Sequence, residues 1–396
     1  MSRPPEQISA FPEPGPEAMQ HSRVLVERIC EEIRDSGGHI PFRRFMELAL
    51  YAPGLGYYSA GSSKLGAEGD FITAPELSSL FSRCIARQCE RVMEQMEHCI
   101  IIEPGAGSGR MAADMLLELE NRQSLPDAWW ILETSAELRD RQHHILAQAM
   151  PHYMDRIEWL DRLPAQPVEG IIIANEVLDA FPFHCIRLSG GDVQELHVVC
   201  EDERFRWRAI PADDALSDYV RRILEPDLAI YPEGYTTEVN PSVQPFIASL
   251  SDILDKGVIL FIDYGYPRRE YYHPQRTEGT MLCHYRHRAH ADPFLYVGLQ
   301  DITASVDFTA VAEAAEAAGL DVRGFTPQAQ FLLGGGLDDL LSEYADNPDA
   351  ALEMARQVKL LTLPAEMGER FKAMLLSKNL SIDLPAFRML DHRNRL

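Results

Sequence analysis

Two hydrophobic periods alternate along the chain. Val24, Leu25, Ile29 and Ile33 recur at helical spacing, and the pattern stops at Gly37-Gly38, where a helix would end. Phe42, Phe45, Met46, Ala49 and Leu50 share one face of a second, short helix. The following stretch, YAPGLGYYSAGSSKLGAEGDFITAPELSSLF from Tyr51 to Phe81, is rich in glycine and keeps no core periodicity until a helix opens near Pro75, so it reads as a loop with a function.

From Cys99 the pattern becomes strand and helix in turn. Ile100-Ile101-Ile102 is an all-apolar run of the kind a strand covered on both faces shows, and it ends in a glycine-rich turn with a helix from Ser108. Further strands are predicted at Trp130-Ile131-Leu132, Ile157 to Leu160, Gly170 to Ala174 and, after a helix over Val243 to Leu254, Val258 to Ile262. A helix over Phe308 to Ala318 precedes a sixth strand after Gly319, and Phe371 to Leu376 is positioned to close the sheet. Repeated strand-helix-strand units predict an α/β, Rossmann-like, parallel and doubly wound sheet with helices on both faces and ligands at the carboxyl ends of its strands.

Other segments lie outside a minimal sheet. Residues 184–210 alternate in β fashion around Ser189-Gly190-Gly191-Asp192 and predict a hairpin, whereas residues 266–300, rich in Tyr, His, Arg and Pro, read as a long loop. The expected organisation is a poorly ordered tail (1–20), an N-terminal helical and lid region (21–80), a sheet domain (81–380) with insertions at about 184–256, 266–300 and 336–365, and a C-terminal tail (381–396).

Composition narrows the function. No apolar run in the 396 residues approaches the ~18 needed to span a membrane. A net charge of -24 argues against a nucleic-acid partner, since binding a polyanion relies on clustered Lys and Arg, and it suits a cationic substrate or partner; excess carboxylates also serve solubility alone. Seven cysteines contain no Cys-x-x-Cys pair and leave an odd one if bridged, which predicts a reducing compartment. The first twenty residues have neither the apolar core of a signal peptide nor the Arg-rich, acid-poor character of a transit peptide, so the expected location is the cytoplasm.

The sharpest chemical signal is the strand followed by EPGAGSG and a helix. Gly105, Gly107 and Gly109 let the backbone turn tightly against a ligand, and the helix start offers unpaired N–H groups. A nicotinamide-binding turn needs Gly or Ala where Arg110 stands; with Glu103 opening the turn, the spacing suits a methyltransferase that uses S-adenosylmethionine. Glu133, at the end of the second strand, is either an acceptor for both ribose hydroxyls or a solvated strand-end residue, and Asp161, after the third, is a candidate acceptor for the adenine amino group. Asn175, Glu176 and Asp179 emerge after the fourth strand, where the methyl group should lie, although Asn175 and Asp179 also suit helix caps. Gly69, Asp70 and Thr73 stand where a lid would fold over the cofactor, and Thr73 equally suits a helix cap. Cys283, His284, His287 and His290 have metal-like composition but no zinc spacing, and the interleaved arginines disfavour a cation, so no metal is expected.

The segments GYY (56–58), GDFITAPELSSLF (69–81), EPGAGSG, NEVLDAFP (175–182), EVNP (238–241), DYG (263–265), DITASVDF (301–308) and MGERF (367–371) resemble the MidA family of methyltransferases, in family order over nearly the whole chain. That family includes a mitochondrial assembly factor that methylates an arginine on a subunit of respiratory complex I. The resemblance implies a class I methyltransferase fold, S-adenosylmethionine as methyl donor, and an arginine of a partner protein, such as a complex I subunit, as acceptor. By position, Gly105, Gly107, Glu133 and Glu176 match the family's glycine-rich motif, second-strand acid and fourth-strand Glu; the mitochondrial member has His where this chain has Asn175.

A guanidinium is permanently protonated, so a carboxylate is needed to fix it and direct one nitrogen toward the methyl group. Glu176 is the first candidate and Glu238 the second, with Asp263 assisting or capping. The competing readings are a nicotinamide-dependent oxidoreductase on the same sheet, disfavoured by Arg110, and a noncatalytic assembly chaperone that keeps the cofactor pocket.

Overall fold

The computed structural model describes residues 11–59, 73–224 and 228–396. Two compact units are formed: Thr73–Phe181, Ser242–Tyr271 and Ser305–Leu396 make the larger, and Met1–Ile72, Pro182–Pro241 and Tyr272–Ala304 the smaller.

The larger unit is built on eight strands, β1 (Ile100–Pro104), β2 (Ala128–Leu132), β3 (Ile157–Leu160), β4 (Val168–Asn175), β5 (Leu254–Tyr266), β6 (Val306–Asp307), β7 (Asp321–Pro327) and β8 (Phe371–Lys378). Their order is β7-β8-β5-β4-β1-β2-β3, with β6 beside β5. Strands β1 to β5 pair in parallel, as the alternating pattern predicts. The all-parallel expectation fails at β8, which runs antiparallel between β5 and β7. Its burial on both faces is the same in either direction, so hydrophobicity alone does not encode the reversal.

Alternate residues of the central strands enter two different cores. Ile101, Ile171, Ile173, Leu260 and Ile262 pack with Leu80, Phe81, Ile85, Met115 and Leu119 on one side. Ile102, Ile172, Ala174, Ile259 and Phe261 pack with Ile247, Leu250, Val311 and Ala315 on the other. A buried Leu, Ile or Phe contributes roughly 1.5–3 kcal/mol, and a one-residue slip would exchange the two faces, so packing fixes the register that aligns the strand ends. Of the helices, α1 (Arg110–Asn121) follows β1 and α2 (Ala136–Ala149) follows β2. The C-terminal segment read as a tail is packed: Leu384, Ala386 and Phe387 are buried, and Phe387 occupies the space a Cβ on Gly324 would need.

The smaller unit sets helices Pro16–Asp35 and Phe42–Tyr51 with strands Ile40–Pro41, His184–Ser189, Asp192–Glu201, Arg204–Pro211 and Thr236–Val239. The first helix begins inside the segment read as a tail, because Gly15, Pro16 and Glu17 supply a cap, a preset φ and a negative charge in the first turn. The predicted hairpin forms, closed by Gly190 and Gly191 at φ 60° and 85°. Residues 266–300 are not a continuous loop: Leu282–Tyr285 pairs with Arg288–His290 and with Asp301–Thr303, strands too short to show a period in sequence. Cys30 and Cys200, 170 residues apart, form a disulfide, which does not fit the expected reducing compartment; the pairing depends on tertiary approach that cysteine spacing does not reveal.

Close backbone contact in the larger unit gives a stability prediction. A Cβ at Gly170, in β4, would lie 2.0 Å from the carbonyl oxygen of Ile100 in β1. Gly170→Ala should therefore destabilise the unit by about 1–3 kcal/mol through overpacking, seen as a lower midpoint in urea denaturation; an unchanged midpoint would contradict the strand spacing described.

Candidate cofactor and acceptor site

The turn after β1 is strongly bent and internally braced. Gly105, Gly107 and Gly109 have φ of 66°, 55° and 86°, a region that side chains with a Cβ rarely adopt. The Gly105 N–H donates to the Leu132 carbonyl at 3.0 Å, and the Gly109 N–H to the Ala106 carbonyl at 2.8 Å. Ser108 donates its hydroxyl to the Glu76 carboxylate and accepts from the Arg110 N–H at 3.2 Å. The helix α1 then starts, its first amides directed at the turn.

Glu76 lies in the short helix Ala74–Leu77 and escaped sequence reasoning, since a Glu in a first helical turn has an ordinary role there. Thr73 is the N-cap residue of that helix, but its hydroxyl makes no capping hydrogen bond. Gly69 and Asp70 lie outside the described residues. Glu103, the last acid before the turn, is 1% exposed and accepts from the Trp129 indole N–H at 3.0 Å. Burial pushes its carboxyl up to about 8, against the opposing pull of the Trp129 hydrogen bond.

Beyond β2, Glu133 is buried, and both carboxylate oxygens have a donor. Oε1 accepts from the Ser135 N–H at 2.8 Å and Oε2 from the Gln142 side-chain amide at 3.3 Å. Burial raises its pKa, and these donors oppose the rise. Arg139 Nε donates to the Glu133 carbonyl at 2.6 Å while its Nη2 donates to Asp161 Oδ1 at 2.6 Å, so one guanidinium joins the ends of β2 and β3. Asp161 has its side chain 82% exposed.

The chain turns sharply after β4. Glu176 takes φ 51°, a left-handed conformation that costs a non-glycine residue roughly 1–2 kcal/mol. Its N–H donates to the Ile262 carbonyl at 2.9 Å, and its Oε1 accepts from Asn175 Nδ2 at 3.1 Å. Asp263, at the end of β5, clamps the turn: Oδ2 accepts from the N–H groups of Leu178 and Asp179 at 3.0 and 3.3 Å, and Oδ1 from the Tyr264 N–H at 2.9 Å. Burial, with the neighbouring charges of Asp179 and Glu176, holds the Asp263 carboxyl well above the usual range. Burial likewise raises Asp179. Oδ1 of Asn175 is buried without a hydrogen-bond partner among the described residues, and the Asp179 carboxyl is engaged by Tyr264 and the Ala180 N–H.

The glycine turn, β2 end and β4 end are thus one neighbourhood. The Gly107 carbonyl accepts from the same Gln142 amide that reaches Glu133, and a Cβ at Gly105 would stand 3.5 Å from Val177. Glu238 belongs to the smaller unit, where it is buried and structural: its oxygens accept from the N–H and hydroxyl of Thr280 at 2.9 and 3.1 Å and from the Met281 N–H at 3.1 Å. Among the described residues, no cluster of three or more His, Cys, Asp or Glu side chains is arranged to hold a metal, and no helix is long and apolar enough to cross a membrane.

Comparison with known proteins agrees with this arrangement. A family model described as putative S-adenosyl-L-methionine-dependent methyltransferase matches residues 84–326. A Burkholderia thailandensis protein, solved bound to S-adenosyl-homocysteine, is 40% identical, with a TM-score of 0.93 over 98% of this chain and 100% of that one. The mitochondrial protein arginine methyltransferase NDUFAF7 homolog of Drosophila melanogaster is 27% identical, over 91% of this chain and 87% of its own. The NDUFAF7 of Xenopus laevis, named in the same way, is 25% identical over 94% and 88%.

Glu103 gives a pH prediction whose sign is set by its raised pKa. The unfolded carboxyl titrates near 4.5 and the folded one near 8, so the stability gained by keeping it neutral is complete below about pH 4.5 and is lost as pH rises to about 8. Glu103→Gln keeps an acceptor for Trp129 and removes the titration. Denaturation midpoints between pH 5 and 8 should fall more steeply for the wild type than for Glu103→Gln; parallel profiles would contradict a buried, protonated Glu103.

Proposed function

This chain belongs to the S-adenosyl-L-methionine-dependent methyltransferase family, and from that premise we propose that it methylates an arginine of a partner protein, with Glu176 holding the guanidinium. The carrying observation is the strained turn at Glu176, whose left-handed backbone is kept in place by the buried Asp263 clamp. Strain maintained at a sheet edge by a dedicated carboxylate supports a functional use of the side chain it presents.

The residues present suit the cofactor. Left-handed Gly105 and Gly107 keep the turn free of Cβ atoms, and the start of α1 provides amide donors. Each Glu133 oxygen keeps acceptor capacity for a ribose hydroxyl after its internal bond, and Asp161 keeps Oδ2 for the adenine amino group. Oδ1 of Asn175, without a partner among the described residues, offers a further acceptor beside Glu176. When bound, the cofactor supplies a methyl group on a positively charged sulfonium.

The chain's own part is positioning. A carboxylate at Glu176 pairs with the permanently charged guanidinium, fixes its plane and holds one nitrogen in line for displacement. Asp263 braces the turn that presents Glu176, by accepting from the Leu178 and Asp179 N–H groups, in a chain of net charge -24. Glu238, engaged by Thr280 and Met281, is left out of this role.

The relatives named as protein arginine methyltransferases support a protein acceptor, and the resemblance to the complex I assembly factor suggests a complex I subunit as its class. For compartment we propose the cytoplasm, on the five buried free cysteines; the curated relatives are named mitochondrial, and the Cys30–Cys200 bond stands against a fully reducing setting. Cell fractionation decides it.

Glu176→Gln separates binding from chemistry because it keeps the shape of the side chain and removes the charge. Transfer of labelled methyl groups to an extract of cells lacking the gene should fall at least roughly a hundredfold, by analogy with breaking a buried charge pair, while calorimetric affinity for S-adenosylmethionine stays within a few fold. Wild-type transfer by the variant would remove Glu176 from the mechanism. Cofactor binding by the wild type with no transfer to any protein would favour a chaperone.

A further inference from the structure

Gln142 is 0% exposed, yet it lies in α2, where the sequence DRQHHILAQ reads as a polar helix face. Its amide is fully used. Oε1 accepts from the Trp159 indole N–H at 3.0 Å, which assigns the opposite end as the NH2 group. That NH2 donates to the Gly107 carbonyl at 2.9 Å and to Glu133 Oε2 at 3.3 Å. The turn also rests on this residue, since a Cβ at Gly109 would stand 3.1 Å from Gln142 Cα.

We propose that Gln142 is a positioning residue of the cofactor site, orienting the Glu133 carboxylate from an amide anchored on the Gly107 carbonyl; this rests on the reading that Glu133 receives the ribose hydroxyls. With the N–H groups of Ser135 and Thr134 and the Gln142 amide all donating to it, the carboxylate is held against rotation, and its remaining acceptor sites point in fixed directions toward two adjacent hydroxyls. Removing the Gln142 amide leaves the carboxylate held from its backbone side alone and leaves the Gly107 carbonyl without this donor. Trp159 acts one step further out: its N–H fixes the oxygen end of the amide, while the Gly107 carbonyl and Glu133 hold the NH2 end.

The test uses the full chain, with S-adenosylhomocysteine and its 2′,3′-dideoxyribose analogue as ligands, titrated calorimetrically alongside thermal melting. Gln142→Met keeps length and packing and should weaken S-adenosylhomocysteine about tenfold, the scale of one hydrogen bond to a charged group, while weakening the dideoxy analogue less than threefold. The loss should vanish when Glu133→Ala is already present. Trp159→Phe leaves Gln142 in place and should give a smaller loss with the same ligand dependence, which keeps the test informative if Gln142→Met folds poorly. Equal weakening of both ligands, or unchanged affinity for S-adenosylhomocysteine, would reduce Gln142 to a packing residue. Wild-type affinity in Glu133→Ala alone would instead overturn the ribose reading beneath the proposal.

Discussion

Burial of the central strands on both faces is the constraint on which the site depends. Because alternate isoleucines of β1 and β4 belong to separate cores, neither strand can shift by one residue without exchanging the side chains that fit each core. The parallel strands therefore end along one edge of the sheet. That shared edge brings together in space the glycine turn after β1, Glu133 after β2, Asn175 and Glu176 at the end of β4, and Asp263 within the end of β5. The left-handed conformation of Glu176 is tolerated because Asp263 is held in place by that same register.

The acids along this edge share one electrostatic condition. Glu103, Glu133, Asp179 and Asp263 are all raised by burial, so they are costly to ionise without a positive partner. Positive charge on a bound ligand would relieve this cost, as a sulfonium donor and a guanidinium acceptor carry it. The family to which the chain belongs, rather than this electrostatics, sets aside the nicotinamide reading.

Much of this edge was legible in the sequence, for a physical reason. Strands buried on both faces announce themselves as short apolar runs, and the residue that ends each run must lie at the rim, which located the glycine turn, Glu133 and Glu176. Residues acting through tertiary approach left no such mark. Gln142 looks like a solvated helical glutamine until β3 brings Trp159 against it, and Glu76 looks like a first-turn acid until Ser108 meets it. The direction of β8, the Cys30–Cys200 bond and the burial of Phe387 likewise depend on distant partners. Nor does the sequence show that Glu238 accepts from Thr280 and Met281, since a carboxylate so engaged reads there like any other.

The central claim is that Glu176 directs methyl transfer to an arginine of a protein. Its most direct test is quantitative mass spectrometry of arginine methylation across the proteome, in cells with the gene, without it, and with only the Glu176→Gln form. The account predicts methylation at one site or a small set of sites that disappears without the gene and is not restored by the variant. An arginine methylome identical in all three would contradict it.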